Sequence, residues 1–435
     1  MNPSFHIIDF VIVGIYAILL VGVGLWVSRT KKGHTKTAED YFLASKALPW
    51  WAIGSSLIAA NISAEQFIGM SGSGFAGGLA IASYEFMAAL TLIIVGKFFL
   101  PIFIKQGIYT IPEFVEKRFS TNLKTILAVF WIALFVFVNL TSVLFLGGKA
   151  IDTIVGVGDG SMIVPAIIAL AIFAAAYSLY GGLSAVAWTD VIQVALLVIG
   201  GIITTLIALH YVTPDGGILN GISHIADAAS DKFDMVLSRD NKEFNNLPGI
   251  YVLIGGLWVA NLYYWGFNQY IIQRTLAAKS LTEAQRGIAF AAFLKMLIPF
   301  IVVIPGIVAW VMYSEDLYGA RSAFEIAGST ALNNDNAYPW LISTFIPVGV
   351  KGLVLAALAA AIVSSLASML NSTSTIFTMD IYKPYINREA SQTKLVNVGR
   401  LTAGIALIIA VCLAPLLGGI DQMFQYIQEY TGLVS

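Results

Sequence analysis

Along this chain polar positions are the exceptions. Read against the roughly 20 mainly apolar residues that a membrane-crossing helix requires, the sequence yields ten complete spans. They fall at 7–27, 50–72, 79–104, 125–147, 162–180, 184–209, 250–272, 287–313, 351–378 and 400–419, numbered 1 to 10 here. An eleventh begins at DQMFQYIQEYTGLVS, 421–435, and stops about two-thirds of the way through a span, so the chain reads as cut within a helix. The two longest connections, 210–249 and 314–350, are expected to form small caps built of short helices.

Two spans break the apolar pattern in related ways. Span 2 runs into NISAEQFIGMSGSG, with Asn61, Ser63, Glu65 and Gln66 followed by three glycines. Span 7 reads LIGGLWVANLYYWGFNQYIIQRT, interrupted by glycines and by Asn261, Asn268 and Gln269. Each polar group left unpaired in hydrocarbon costs several kcal/mol, so such residues need partners or a purpose. Asn61 and Asn261 each follow an alanine about 16 Å from their helix starts, near mid-membrane. Spans 2 and 7 are five apart and therefore run in opposite directions. Matching interruptions of this kind point to a transporter binding site, where freed carbonyls coordinate a cation and freed N–H groups meet a substrate. Either break alone could equally reflect close packing at glycine and interhelical bonding by asparagine. Two at corresponding places favour a five-plus-five inverted repeat of spans 2–6 and 7–11.

Other intramembrane polar residues extend the candidate site. Glu85 in span 3 and Lys295 in span 8 are functional candidates by position, with a mutual buried ion pair as the plainer alternative. Asn139 and Gln428 carry amides, which donate and accept at once, as a sugar's hydroxyls require. Span 9 holds AAAIVSSLASMLNSTSTIF. Most of its hydroxyls are expected to bond their own helix. Ser364 and Ser365 become cation ligands only if another element brings carbonyls to them. Tyr84, Tyr263, Tyr264, Trp265 and Phe424 supply aromatic faces near the breaks, for helix packing or for stacking on a sugar.

Composition agrees with the spans and removes other classes. Of 435 residues 58% are hydrophobic and 11% charged, against roughly 25% charged in soluble domains. A net charge of -1, with no basic run interleaved with aromatics, argues against a nucleic-acid partner. The single cysteine, Cys412, allows no disulfide framework and is expected to be a small core side chain. Span 1 lacks the charged flank and cleavage site of a signal peptide. With the N-terminus outside, the segments 28–49, 97–124, 273–286 and 379–400 would face the cytoplasm with 17 of the 24 basic residues, as the positive-inside rule demands. No HExxH or P-loop motif occurs, and GVGD at 156–159 sits in a short loop, so the chain is not expected to be an enzyme.

The blocks SLIAANISAEQFIGMSGSG, YGGLSAVAWTDVIQV, GGLWVANLYYWGFNQYIIQRTLAAKS, AAIVSSLASMLNST and FQYIQEYTGL resemble the sodium/solute symporter family, within it the sodium–glucose cotransporter type, including bacterial sodium/galactose symport. The resemblance covers essentially the whole chain. It implies an all-α polytopic membrane protein of the LeuT type, with an extra N-terminal helix and loop (1–49). The first repeat would be 50–209, an extracellular loop 210–249, and the second repeat 250–435, with its last helix incomplete. It also implies sodium-coupled import of a neutral sugar across the inner (plasma) membrane. By the same resemblance Asn61, Gln66, Glu85, Asn139, Asn261, Lys295 and Gln428 contact the sugar. Tyr264, with Trp265 beside it, forms the inner gate, and Met70, Tyr84 and Phe424 close the outer one. Na+ would be held by carbonyls of Ala59, Ile62 and Ala361 with the Ser364 and Ser365 hydroxyls, and Asp190 lies at a position linked to cation coupling. Ala88 departs from the pattern, a serine standing there in galactose symport, which puts the preferred epimer in question. Rival readings are another solute of the family (myo-inositol, sialic acid or proline) and a symporter-like sensor domain.

Overall fold

The computed structural model describes residues 6–29, 34–63, 65–156, 160–247, 249–326 and 332–419. Among these residues the architecture is all-helical, with only two isolated β-bridges, Leu48 to Ala278 and Glu325 to Leu332. Among the described residues eight helices are long and apolar enough to cross a membrane, and they correspond to spans 1, 3–6 and 8–10. The second half of span 2 runs on into span 3 as Gln66–Gln106, and span 7 is not one of the eight. The eleventh span, from 421 onward, lies outside the described residues, as do residues 157–159 of the GVGD loop.

Span 2 is a helix over Trp50–Asn61, then an extended residue at Ile62, then helix again through Ser71–Gly77. It ends at Gly78, whose φ of 78° only glycine adopts without strain. Span 3 follows from Ser83. Span 7 is helical through Leu257–Leu262 and stays so, loosely wound, to Phe267. The chain leaves the helix at Asn268 and resumes over Gln269–Leu276. The break therefore comes seven residues after Asn261, not at the Ala-Asn pair that matches span 2.

Span 9, Val350–Ile376, is the axis of the molecule and is buried on nearly every side. A helix apolar all round belongs in a core. Span 6 packs along both span 9 and span 2, while span 8, Leu281–Ser314, runs against spans 2 and 3. At the crossing of spans 2 and 8 a Cβ on Gly306 would collide with the Ser71 carbonyl, so the two backbones touch there. Span 10, Gln392–Leu413, lies outside this group, and among the described residues its Cys412 is exposed rather than packed in the core. The capping segments do carry short helices, at Ile218–Ala228 and Ala337–Phe345 among others. From the first cap Lys232 reaches over Trp310 to the Ala76 carbonyl at 2.5 Å.

Span 1, Ile7–Val27, buries one stripe only, Asp9, Tyr16, Leu20 and Gly24, and turns its large apolar side chains outward. Asp9 is the exception in that stripe. Its Oδ1 accepts the Gly349 and Gly352 N–H groups at 2.7 and 2.8 Å, capping the start of span 9. A carboxylate at a helix N-terminus satisfies orphan donors and complements the dipole. Asp9→Ala should lower stability by about 1–3 kcal/mol, seen as a lower melting temperature in detergent, and Asp9→Asn should fall less. Unchanged melting in both variants would show that the cap contributes nothing.

Candidate functional site

The break in span 2 has a local cause. Past Asn61 the Ser63 N–H donates to the Gln66 Oε1 at 3.0 Å, whereas a continuing helix would spend it on the Ala59 carbonyl. Asn61 Nδ2 donates to the Tyr264 hydroxyl at 2.9 Å. Tyr264 stands on the loosely wound turn just before the break in span 7, so the two interruptions meet through side chains. The Tyr264 hydroxyl also lies 2.6 Å from that of Tyr270, beyond the break. Asn268 accepts from the Tyr270 N–H at 3.2 Å and caps the resumed helix.

From Tyr264 the site continues sideways. Its ring meets that of Trp265 edge to face at 5.1 Å. Lys295 Nζ sits over the Trp265 ring, 5.3 Å from its centroid, and 2.5 Å from Glu85 Oε2. Lysine and glutamate are both buried, so the ion pair that the sequence left as an alternative is formed. Ala88, one turn after Glu85, is also buried. Among the described residues Asn61 Oδ1, Asn139 Oδ1 and the Tyr263 hydroxyl are buried without a hydrogen-bond partner. Buried polar atoms are rarely left so, and this set suits a guest that both donates and accepts. Asn261 behaves otherwise, its Nδ2 donating to the Leu257 carbonyl of its own helix at 2.9 Å. Met70 is buried in the second half of span 2, and Tyr84 is half-buried at the start of span 3. Phe424 and Gln428 lie outside the described residues.

A second polar centre lies where spans 2, 6, 7 and 9 converge. Ser365 Oγ is 3.1 Å from the Ala60 carbonyl across the helix interface and 3.1 Å from Ala361 in its own helix. Span 2 thus brings the carbonyl that a cation site at Ser365 requires, although the hydroxyl's partner there is Ala60 rather than Ala59 or Ile62. Ser364 turns to Asp190 Oδ1 at 2.6 Å, and Ser56 donates to Asp190 Oδ2 at 2.5 Å. Hydroxyl and carbonyl oxygens suit a hard cation. Among the described residues no group of three or more His, Cys, Asp or Glu could hold a metal.

Sequence reasoning missed what completes this centre. Arg274, fully buried, lies 3.7 Å from Asp190 Oδ2 and donates to the Ser56 hydroxyl at 2.6 Å. It also donates to Ser368 and to the Tyr270 carbonyl. By position it read as a basic residue at the end of a span, although the spacing of Gln269, Gln273 and Arg274 in QYIIQR was a visible signal.

Removing one partner of a buried pair costs more than removing both. Lys295→Ala should destabilise by about 3–5 kcal/mol by stranding the Glu85 charge. The double change Glu85→Gln with Lys295→Met should regain most of that melting temperature. A double variant no more stable than the single one would mean that the pair is not what balances Glu85.

Residues 41–435 match the sodium:solute symporter family. A sodium/glucose cotransporter of Vibrio parahaemolyticus is 66% identical over 431 residues, covering 98% of this chain and 78% of the relative. The sodium/myo-inositol cotransporter of Canis lupus familiaris is 33% identical over 456 residues, covering 99% of this chain and 62% of its own. Among solved structures a Na+-coupled sialic acid symporter, in a substrate-bound outward-open state, superposes with a TM-score of 0.83 at 26% identity. That alignment covers 99% of this chain and 86% of the other. This chain belongs to the sodium:solute symporter family.

Proposed function

We propose that this protein carries a neutral monosaccharide of the galactose or glucose type into the cell together with Na+, by alternating access. The observation that carries the reading is the joint between the two broken spans. Asn61, at the break in span 2, bonds Tyr264 at 2.9 Å, while the same break presents the Ala60 carbonyl to Ser365. One element therefore serves a site for a hydroxylated solute and a site for a cation, and this is what coupling requires. Similarity to a sodium/glucose cotransporter at 66% identity favours a sugar over the other solutes of the family.

In this reading Na+ is a co-substrate, entering between Ser365 and Ser364 and the carbonyls of Ala59, Ile62 and Ala361. It braces span 2 against span 9 and so orders Asn61 and Gln66 for the sugar. Coupling follows because Na+ alters the relative stability of the outward and inward forms, not merely because it binds. The sugar lies against Tyr264, with Glu85, Lys295, Asn139, Asn261 and Gln428 toward its hydroxyls. Met70, Tyr84 and Phe424 close above it, and Tyr264 with Trp265 opens below. Loss of Na+ from Ser364 and Ser365 frees Tyr264 to move. Inward movement of each charge supplies about 2.3 kcal/mol per 100 mV.

The chain divides, on this view, into the extra helix and loop 1–49, a first repeat 50–209, an outer loop 210–249 and a second repeat 250–435. The distribution of basic segments supports an N-terminus outside the inner membrane. Labelled galactose and glucose should accumulate in proteoliposomes holding the whole gene product only under an inward Na+ gradient. Their ratio reads the preference set around Ala88, and competition by myo-inositol or sialic acid tests the family's other solutes. Ser365→Ala should abolish stimulation by sodium; sugar uptake that still rises with sodium in that variant would overturn the cation-site assignment.

A further inference from the structure

The resumed half of span 7, Gln269–Leu276, is unusual in that all eight of its residues are buried. Two are glutamines spaced i and i+4, hence on one face. Gln269 accepts from the Ile111 N–H at 2.8 Å and donates to the Tyr109 carbonyl at 3.1 Å. One amide thus holds both the donor and the acceptor of a single stretch of backbone, in the connection between spans 3 and 4. Gln273 donates to the Phe42 carbonyl at 2.7 Å and to Thr375 at 2.9 Å, and accepts from Ser372 at 2.8 Å. It thereby joins the connection between spans 1 and 2 to the far end of span 9.

The clamped backbone is itself tied onward. Thr110, between the two residues that Gln269 holds, donates to Asp380 at 3.0 Å, and Asp380 lies 3.6 Å from Lys124. Leu48 exchanges backbone bonds with Ala277 and Lys279 directly after the half-helix, at 3.1 and 3.2 Å. The half-helix is therefore sealed by three different chain segments, all on the basic face. These backbone carbonyls and N–H groups are not apolar packing that slides freely. Separated from the glutamines, each must find water or another partner, at a cost.

We propose that Gln269 and Gln273 form a latch that holds the cytoplasmic side shut, acting as positioning residues for the transport cycle. Among the described residues, their hydrogen-bond partners include neither the candidate sugar residues nor Ser364 and Ser365. Their effect is on the balance between outward and inward forms, and the naming of those forms rests on the symport reading above. Sodium favours the outward form; weakening the latch favours the inward one. The apparent sodium affinity then falls with the fraction of molecules able to bind from outside.

The test uses Gln273→Leu and Gln269→Leu, separately, in the full-length protein in proteoliposomes. Amide exchange read by mass spectrometry over 38–48, 107–114 and 269–276 should quicken in both variants, without sodium or sugar present. The sodium concentration for half-maximal sugar uptake should rise about threefold to tenfold, with the maximal rate at saturating sodium largely kept. A role in folding alone would lower the maximal rate and the melting temperature while leaving the sodium half-saturation where it was, and that would overturn the latch. So would unchanged exchange over these segments in both variants. If one variant does not fold, the other decides, since the two glutamines hold different partners. If even the unaltered protein shows no sodium-driven uptake, the symport reading fails, and the exchange arm still tests the latch.

Discussion

The hydrogen bond from Asn61 to Tyr264 is the contact around which this molecule is arranged. A continuous helix satisfies its own backbone, so a membrane protein that interrupts one must supply partners from elsewhere. Here each interruption is repaired from close by: Gln66 takes up the Ser63 N–H, and Asn268 takes up that of Tyr270. What remains is a pair of breaks facing each other, joined by one amide and one phenol. Trp265 beside Tyr264 leads from that joint to the Lys295–Glu85 pair, and the Asn61 Oδ1 there has no partner among the described residues.

Around the candidate sites, buried charge is matched in two pairs. Glu85 is matched by Lys295, and Asp190 by Arg274. Unpaired carboxylates at this depth would be costly, and each cation comes from a different span than its anion. Each pair is thereby also a tether between helices, spans 3 and 8 in one case and spans 6 and 7 in the other. The Asp190 compartment borders Ser364, so a cation arriving at Ser364 and Ser365 would meet an oxygen set beside a carboxylate already engaged by Arg274.

Much of this was legible in the sequence because lipid imposes a simple ruler. Apolar runs gave the spans, and Asn61, Ser63 and Gln66 inside such a run gave the break in span 2. The break in span 7 was less legible. Gly255, Gly256 and Asn261 are the obvious interruptions, yet the helix continues past all three and ends at Asn268. Asn261 bonds its own helix instead, a choice that local sequence does not distinguish from a bond across helices. Gln269, Gln273 and Arg274 were hidden for another reason. Near a span end polar residues are ordinarily solvated, and only tertiary packing reveals that these are fully buried. Cys412 shows the converse, an apolar residue in an apolar run that is exposed rather than in the core of the described residues.

The Asp9 cap gives span 9 a fixed point. Were the helix rigid, tilting it about that first turn would make it a lever with the cap as fulcrum. Ser365 lies fifteen residues along the arm from Val350, about 22 Å, so each degree of tilt displaces it by about 0.4 Å. Thr375, near the far end, travels about two-thirds further for the same tilt. A rotation of a few degrees, too small to disturb the packing around the fulcrum, is enough to carry a hydroxyl out of bonding range at mid-arm. The helix Ile7–Val27 would thus set the point about which such a tilt turns.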